Sequence, residues 1–126
     1  MDYTVQQLAR LSGVTARTIR YYDQIGLLKP KRISGAGHRI YGQQQLDTLQ
    51  QILFYRELDF PLERIAEALA ELGFDRQKAL TQHRVALQAR RDRLSLLIQT
   101  IDDTLKHQKE GTHMSDAQKF EGFKSS

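Results

Sequence analysis

The fold of this chain is decided by residues 4–28, which have the sequence TVQQLARLSGVTARTIRYYDQIGLL. Thr4 and Gln7 have the spacing of a capping box, in which the two residues satisfy each other's free backbone N–H groups at the start of a helix. Gly13 ends that helix, because glycine tolerates the left-handed conformation found after helix ends. A second helix is predicted over residues 16–24. Two short helices joined by a Ser-Gly-Val-Thr turn are typical of a helix-turn-helix.

A glycine-rich turn follows these two helices. The residues Ser-Gly-Ala-Gly at 34–37 lie between Ile33 and Ile40, an arrangement typical of a short β-hairpin. The side chains around the turn are basic: Lys31, Arg32, His38 and Arg39. A basic hairpin beside the second helix would be a wing, which can bind DNA phosphates or the minor groove. A basic surface loop without that role is the alternative interpretation.

Three further helices are predicted from apolar residues at helical spacing, over residues 43–58, 62–72 and 76 to about 109. The last helix carries apolar residues that recur every seven positions. This repeat and its neighbours on the same side are Leu80, Leu87, Leu94, Leu97, Ile98, Ile101 and Leu105. A helix of this length extends roughly 50 Å, and an antiparallel coiled coil of two chains would bury the repeat. A solvated helix, or one packed on its own domain, is the alternative.

The composition excludes several classes of function. The 126 residues include no cysteine, which excludes disulfides, thiolate zinc sites and a cysteine nucleophile. The four histidines lack metal-site spacing, and no serine triad or nucleotide-binding glycine motif is visible. We therefore predict no metal, no cofactor and no enzyme activity. Since no signal peptide or membrane-length apolar run is present, a cytoplasmic protein without membrane contact is expected.

The positive charge is concentrated in the first third of the chain. Residues 1–42 carry seven basic side chains and two acids, whereas the remainder carries 12 basic and 13 acidic side chains. Such a concentration beside a helix-turn-helix is typical of nucleic-acid binding. Arg17, Arg20, Tyr21 and Gln24 share one face of the second helix, where arginines can bind guanine edges or phosphates. An ordinary solvated helix face is the alternative.

The segments RTIRYYDQIGLL at residues 17–28 and RIY at residues 39–41 resemble the MerR family of bacterial transcription regulators. The resemblance extends over about residues 2–109 and is strongest to the multidrug and thiopeptide-antibiotic responsive branch, the TipA and Mta type. It implies a homodimer that binds a palindromic promoter with a long −35 to −10 spacer and distorts the DNA for RNA polymerase. A drug or peptide-antibiotic ligand is expected only through a C-terminal domain that is missing from this sequence.

The resemblance also indicates which residues contact DNA. Together with the cap of the second helix and the basic residues of the wing, the predicted contacts are Thr15, Arg17, Thr18, Arg20, Tyr21, Tyr22, Lys31, His38, Arg39 and Tyr41. Tyr22 is expected to be partly structural, and His38 stands where the family often has Tyr or Phe. Gly42 replaces the usual Ser, Thr or Asp cap of the third helix.

We therefore predict a mainly α fold with three segments. Residues 1–72 are a winged helix-turn-helix DNA-binding domain with a short β-hairpin wing, and residues 73–110 are a coiled-coil dimerisation helix. Residues 111–126 are a linker or the truncated start of an effector domain, so we expect the sequence to be part of a longer regulator of drug response. Two alternatives remain: an excisionase-like architectural protein that bends DNA without engaging polymerase, and a coiled-coil interaction protein with an incidental basic domain.

Overall fold

The computed structural model describes residues 1–124, which form two units, residues 1–80 and the residues from 81 onward. The fold is mainly helical with a hairpin wing and a long C-terminal helix, as predicted, and the hairpin is part of a three-stranded antiparallel sheet. Over residues 1–124, no helix is long and apolar enough to cross a membrane. Nor does that part of the chain bring together three or more His, Asp or Glu side chains that could hold a metal ion.

The first two helices, α1 (Val5–Ser12) and α2 (Ala16–Gln24), form the helix-turn-helix. The predicted capping box is present: the Thr4 hydroxyl accepts a hydrogen bond from the Gln7 backbone N–H at 3.2 Å, and the Thr4 backbone N–H donates to the Gln7 side chain at 2.9 Å. Gly13 follows α1 with a φ of +76°. Local chemistry therefore sets these helix boundaries.

The sheet has three short strands, β1 (Tyr3–Thr4), β2 (Arg32–Ile33) and β3 (Arg39–Tyr41), in the order β1-β3-β2. Strands β2 and β3 are the predicted wing hairpin, and at its turn the Ser34 N–H donates to the His38 carbonyl at 2.8 Å. Strand β1 was not predicted, because two residues are too few to show an alternating pattern. It becomes a strand by pairing with β3, which ties the wing to the start of α1.

Helices α3 (Gln43–Glu57) and α4 (Leu62–Ala70) follow the wing. Helix α4 ends two residues before the predicted boundary. Glu71 is extended, with a ψ of 136°, and Leu72 is fully exposed. Because the Leu72 side chain is fully exposed, its burial contributes no free energy that would stabilise a further half-turn of helix.

One hydrophobic core supports the helix-turn-helix, the wing, α3 and α4. Its most completely buried apolar side chains are Leu8, Ile19, Leu28, Tyr41, Leu49, Ile52 and Ile65. Burying an aliphatic side chain of this size contributes about 1.5–3 kcal/mol to folding. Helix α2 and the wing are therefore held by the same set of packed residues.

The long helix α5 covers Arg76–Glu110, 35 residues in length. The Asp75 side chain caps it by accepting a hydrogen bond from the Lys78 backbone N–H at 3.1 Å. Three residues of the predicted heptad repeat are half-buried: Leu80, Leu87 and Leu97. The other four are 53–58% exposed and are called the α5 stripe from here on: Leu94, Ile98, Ile101 and Leu105.

The segment after α5 is more ordered than its sequence pattern predicted. It contains a short helix, α6 (Asp116–Lys119), and a 3-10 turn at Glu121–Phe123. Gly122 is buried against α5, where a Cβ at its position would lie 2.5 Å from the Thr100 hydroxyl. Periodicity could not predict this contact, since it joins residues that are distant in sequence.

Candidate nucleic-acid interface

The exposed face of α2 carries the side chains expected of a recognition helix. Arg17, Thr18, Arg20, Tyr21 and Gln24 line one shallow concavity. Within residues 1–124, neither Arg17 nor Arg20 forms an ion pair. Both guanidinium groups therefore keep their charge and donors for a ligand, and guanine edges and phosphates accept such donors.

Thr15 holds the N-terminal end of this helix. Its hydroxyl accepts a hydrogen bond from the Thr18 backbone N–H at 3.1 Å and donates to the Thr18 hydroxyl at 2.9 Å. Thr15 is exposed and Thr18 is half-buried. Thr15 therefore acts as the helix cap that the sequence predicted, and a direct contact between either threonine and DNA stays a prediction.

The start of the wing carries cations that are only weakly paired. Lys31 and Arg32 approach the Asp2 carboxylate at 3.3 Å and 3.8 Å, and both cations are more than half exposed. His38 is exposed at the hairpin turn. Exposed ion pairs of this kind contribute about 0–1 kcal/mol each, so DNA phosphates can compete with Asp2 for these cations.

A shorter ion pair joins the second strand of the wing to α2. The Nε–H of Arg39 donates to Oδ2 of Asp23 at 2.6 Å, and Lys29 lies 3.2 Å from the other carboxylate oxygen. The hydrogen bond from Arg39 holds the pKa of Asp23 below its ordinary value of 3.8, against the opposing effect of burial. The same hydrogen bond raises the pKa of Arg39.

The sequence analysis did not single out Asp23. A usable signal was available, because Asp2 and Asp23 are the two acids among residues 1–42. Each of them lies against cations of the wing. Rare acids in a basic region are therefore worth examining for ion pairs with its cations.

Two predicted DNA contacts, Tyr22 and Tyr41, are buried in the hydrophobic core, so a contact between either side chain and DNA stays a prediction. Tyr22 is 2% exposed, and its hydroxyl accepts a hydrogen bond from Arg56 Nη1 at 3.1 Å. One position along a helix rotates the side chain by about 100°, so Tyr21 faces solvent while Tyr22 faces the core. Tyr41 is 0% exposed, and burial raises the pKa of its phenol.

The α5 stripe is a second candidate surface. Its four residues recur at helical spacing and share one side of α5. Gly122 packs against Thr100 and the Leu96 carbonyl, which lie on the other side of the helix. The segment that folds back on α5 therefore leaves the α5 stripe uncovered.

Two family profiles match this chain. The profile described as "MerR HTH family regulatory protein" matches residues 3–72. A second profile, "MerR, DNA binding", matches residues 46–107. The two matches together cover the helix-turn-helix, the wing, α3, α4 and most of α5.

Curated relatives align over nearly the whole chain. The HTH-type transcriptional regulator SkgA of Caulobacter vibrioides is 46% identical over 121 residues, 96% of this chain and 48% of SkgA. The HTH-type transcriptional activators mta of Bacillus subtilis and TipA of Streptomyces coelicolor are each 42% identical over 123 residues, 98% of this chain and 48% and 49% of their own lengths. The chain thus spans about half the length of these relatives.

Solved structures of two of these relatives are also similar. The crystal structure of SkgA from Caulobacter crescentus has a TM-score of 0.91 at 46% identity and covers 98% of this chain and 88% of that chain. The structure of MtaN, the N-terminus of the Bacillus subtilis multidrug transporter activator, has a TM-score of 0.57 at 45% identity and covers 82% of this chain and 97% of that chain.

Proposed function

This chain belongs to the MerR family of DNA-binding transcription regulators, and we propose that it acts on a palindromic promoter as a homodimer. The proposed operator has a −35 to −10 spacer that is longer than optimal. Binding would bend and untwist this spacer so that RNA polymerase can engage both elements. As a member of a family of transcription regulators, the chain is not an enzyme.

The observation that carries the proposal is the exposed face of α2. Arg17 and Arg20 stand there without ion pairs among the described residues, beside Tyr21. Helix α2 is the second helix of the helix-turn-helix, and two arginines without ion pairs on its exposed face favour its insertion into the major groove. Thr15 and Thr18 at the N-terminal end of α2 would then lie close to the bases.

The wing supports a role in distorting the DNA. Bending DNA costs a deformation free energy, which is offset by the additional contacts that the bend permits. Candidates for such contacts on the wing are Lys31, Arg32, His38 and Arg39. Because α2 and the wing share one core, their distance from each other is fixed. The DNA phosphates that they bind would have to match that distance.

The α5 stripe supports the dimer. Exposed leucine and isoleucine side chains that repeat along one side of a helix favour pairing with a second copy. Two chains related by a two-fold axis would present two α2 helices, which matches the symmetry of a palindrome. An antiparallel coiled coil that buries the α5 stripe together with Leu80, Leu87 and Leu97 is the arrangement we propose.

A role in drug response is proposed from the relatives. MtaN is the N-terminus of a multidrug transporter activator and is 45% identical to this chain. The proposed drug or peptide-antibiotic ligand would act through a region that corresponds to the half of these relatives to which this chain does not align. Action at a bacterial promoter would place the protein in the cytoplasm.

The first experiment is a gel shift on the DNA upstream of the gene itself, repeated over a series of salt concentrations and followed by footprinting. We expect protection of a palindrome across a long spacer, enhanced cleavage at its centre, and affinity that falls steeply with salt. Protection without enhanced central cleavage would contradict the proposed distortion. If neither this DNA nor a genome-wide selection of fragments is bound, the proposal fails.

A single substitution tests the assignment of the recognition helix. Arg20→Ala is expected to reduce operator affinity by about 1–3 kcal/mol, the range for a specific arginine contact. Lys109→Ala is the control, since it also removes one positive charge but lies at the far end of α5. Full affinity in Arg20→Ala would remove that residue from the interface.

A further inference from the structure

Asp23 lies between the two elements proposed to contact DNA. It belongs to the last turn of α2, its side chain is 14% exposed, and it accepts the Nε–H of Arg39 from β3 at 2.6 Å. Lys29 pairs with the other carboxylate oxygen at 3.2 Å and also donates to the Asp23 backbone carbonyl at 2.9 Å. Each carboxylate oxygen therefore has its own cation, which fixes the orientation of the carboxylate.

The contact leaves the outer edge of the Arg39 guanidinium open. A guanidinium has five N–H donors, of which Asp23 takes the one on Nε. Among the described residues the two Nη nitrogens make no hydrogen bond or ion pair, and the side chain is 32% exposed. Arg39, His38 and Arg20 line one cavity of about 330 Å³. An anionic group entering this cavity would meet arginines from both the wing and α2.

We propose that Asp23 is a positioning residue that aims the Nη edge of Arg39 at a phosphate of the DNA backbone. This inference rests on the DNA-binding function proposed above. The two Nη groups match the spacing of two phosphate oxygens, so the contact is bidentate only when the guanidinium has the right orientation. Asp23 orders the long side chain before DNA arrives, and less rotamer entropy is then lost on binding.

The charge of Asp23 taken alone leads to the opposite expectation. A carboxylate near the phosphate backbone repels it, so removing the carboxylate should strengthen binding if charge is all that matters. If Asp23 positions Arg39, its removal should weaken binding. The sign of the change in affinity therefore separates the two explanations.

The test compares two aspartates that both face cations of the wing. Asp23→Ala and Asp2→Ala are measured by fluorescence anisotropy on a promoter fragment that the unaltered chain binds. We expect Asp23→Ala to bind roughly ten-fold more weakly, because the orientation of Arg39 is lost. Asp2→Ala removes the same charge from a more exposed site, and its binding should be unchanged or tighter. Binding by Asp23→Ala that equals or exceeds that of the unaltered chain would overturn the proposal.

A double-substitution cycle tests whether Asp23 acts through Arg39. In an Arg39→Ala background, Asp23→Ala should cause no further weakening, because the side chain it positions is gone. Equal weakening in both backgrounds would mean that Asp23 supports the fold in general, which also overturns the proposal. Circular dichroism and thermal unfolding of each variant accompany these measurements.

Arg39→Lys decides the question even if Asp23→Ala does not fold. Lysine keeps the positive charge but has neither the Nε–H that bonds Asp23 nor the Nη pair. We expect Arg39→Lys to bind DNA more weakly than the unaltered chain, because it keeps the charge but loses the oriented bidentate contact, and affinity equal to that of the unaltered chain would overturn the proposal. If the unaltered chain binds no DNA, the proposed function itself fails. If it binds and these variants bind equally well, only this inference fails.

Discussion

At the scale of single residues, the hydroxyl of Tyr41 is buried and has no hydrogen-bond partner within residues 1–124. A buried hydroxyl without a partner has lost its hydration and gained nothing in return. We therefore expect Tyr41→Phe to leave the free energy of unfolding unchanged or to raise it by up to about 1 kcal/mol. Chemical denaturation measures this change.

The same variant tests whether the Tyr41 hydroxyl contacts DNA. Because Tyr41 lies in the core, Tyr41→Phe should bind operator DNA with the affinity of the unaltered chain. Arg39→Ala, two residues earlier on the same strand, is the matched variant that should bind more weakly. Weaker DNA binding by Tyr41→Phe at unchanged stability would return the tyrosine hydroxyl to the interface.

His83 links stability to pH. It is buried, and burial lowers its pKa below the ordinary value of 6.5 because the charged form is disfavoured. The unfolded chain binds this proton near pH 6.5, whereas the folded chain binds it only at lower pH. The contribution to stability is therefore complete above pH 6.5 and is lost as the pH falls through the folded-state pKa.

We expect His83→Gln to flatten the fall of the unfolding free energy between about pH 7 and pH 5, since glutamine does not titrate. His113→Gln, which replaces an exposed histidine, is the control and should retain the original slope. Urea denaturation at several pH values provides the measurement. An unchanged slope in His83→Gln would show that the fall comes from other groups.

At the scale of elements, the segment after α5 depends on the absence of a side chain at residue 122. A Cβ there would lie 2.5 Å from the Thr100 hydroxyl, closer than atoms pack, and at a tight 3.2 Å from the Leu96 carbonyl. Gly122→Ala is expected to destabilise the docked segment by about 1–3 kcal/mol, the range for overpacking. Hydrogen exchange of the amides in residues 112–124 should increase, while exchange in residues 1–80 should not.

Gly35→Ala serves as the control for this change, because a Cβ at residue 35 meets no atom within 4 Å. It should leave exchange in the C-terminal segment unaltered. Thr100→Ala combined with Gly122→Ala should recover part of the protection, since it removes the closest of the clashing atoms. Unchanged exchange in Gly122→Ala would mean that the segment accommodates the methyl group by a small shift.

At the scale of the whole molecule, the α5 stripe predicts the oligomeric state. Leu94→Asp combined with Ile101→Asp should give a monomer in analytical ultracentrifugation, because a coiled-coil interface does not tolerate buried unpaired carboxylates. Val85→Asp also replaces an exposed apolar residue of α5. Because Val85 lies on the opposite side of the helix from Leu94, this variant should stay dimeric. A dimer in the double variant would place the interface elsewhere.

Loss of the dimer should also weaken operator binding. A monomer presents one α2 helix to a palindrome, so the second half-site contributes nothing to its affinity. The double variant should therefore protect a palindromic operator much less well than the unaltered chain does. Equal protection by a monomer would contradict the proposed two-fold arrangement.

The sequence by itself determined the local features of this protein. These features are the starts of α1, α2 and α5, the wing turn and the exposed face of α2. Each follows from residues within a few positions of one another, as in the Thr4 capping box, the glycine after α1 and the 3.6-residue period of a helix. Such interactions have nearly the same free energy in any fold. Local patterns are therefore enough to predict them.

Only the tertiary structure decided which distant residues meet. Periodic patterns in the sequence do not predict three of these contacts: the pairing of β1 with β3, the Asp23–Arg39 contact across 16 residues, and the packing of Gly122 on α5. The same holds for Tyr41, whose burial follows from the side of β3 that faces the core. The contacts within residues 1–80 exist because one core packs α2, the wing and β1 together, whereas Gly122 packs on α5 outside that core. In both units, packing depends on shapes that become adjacent only when the chain has folded.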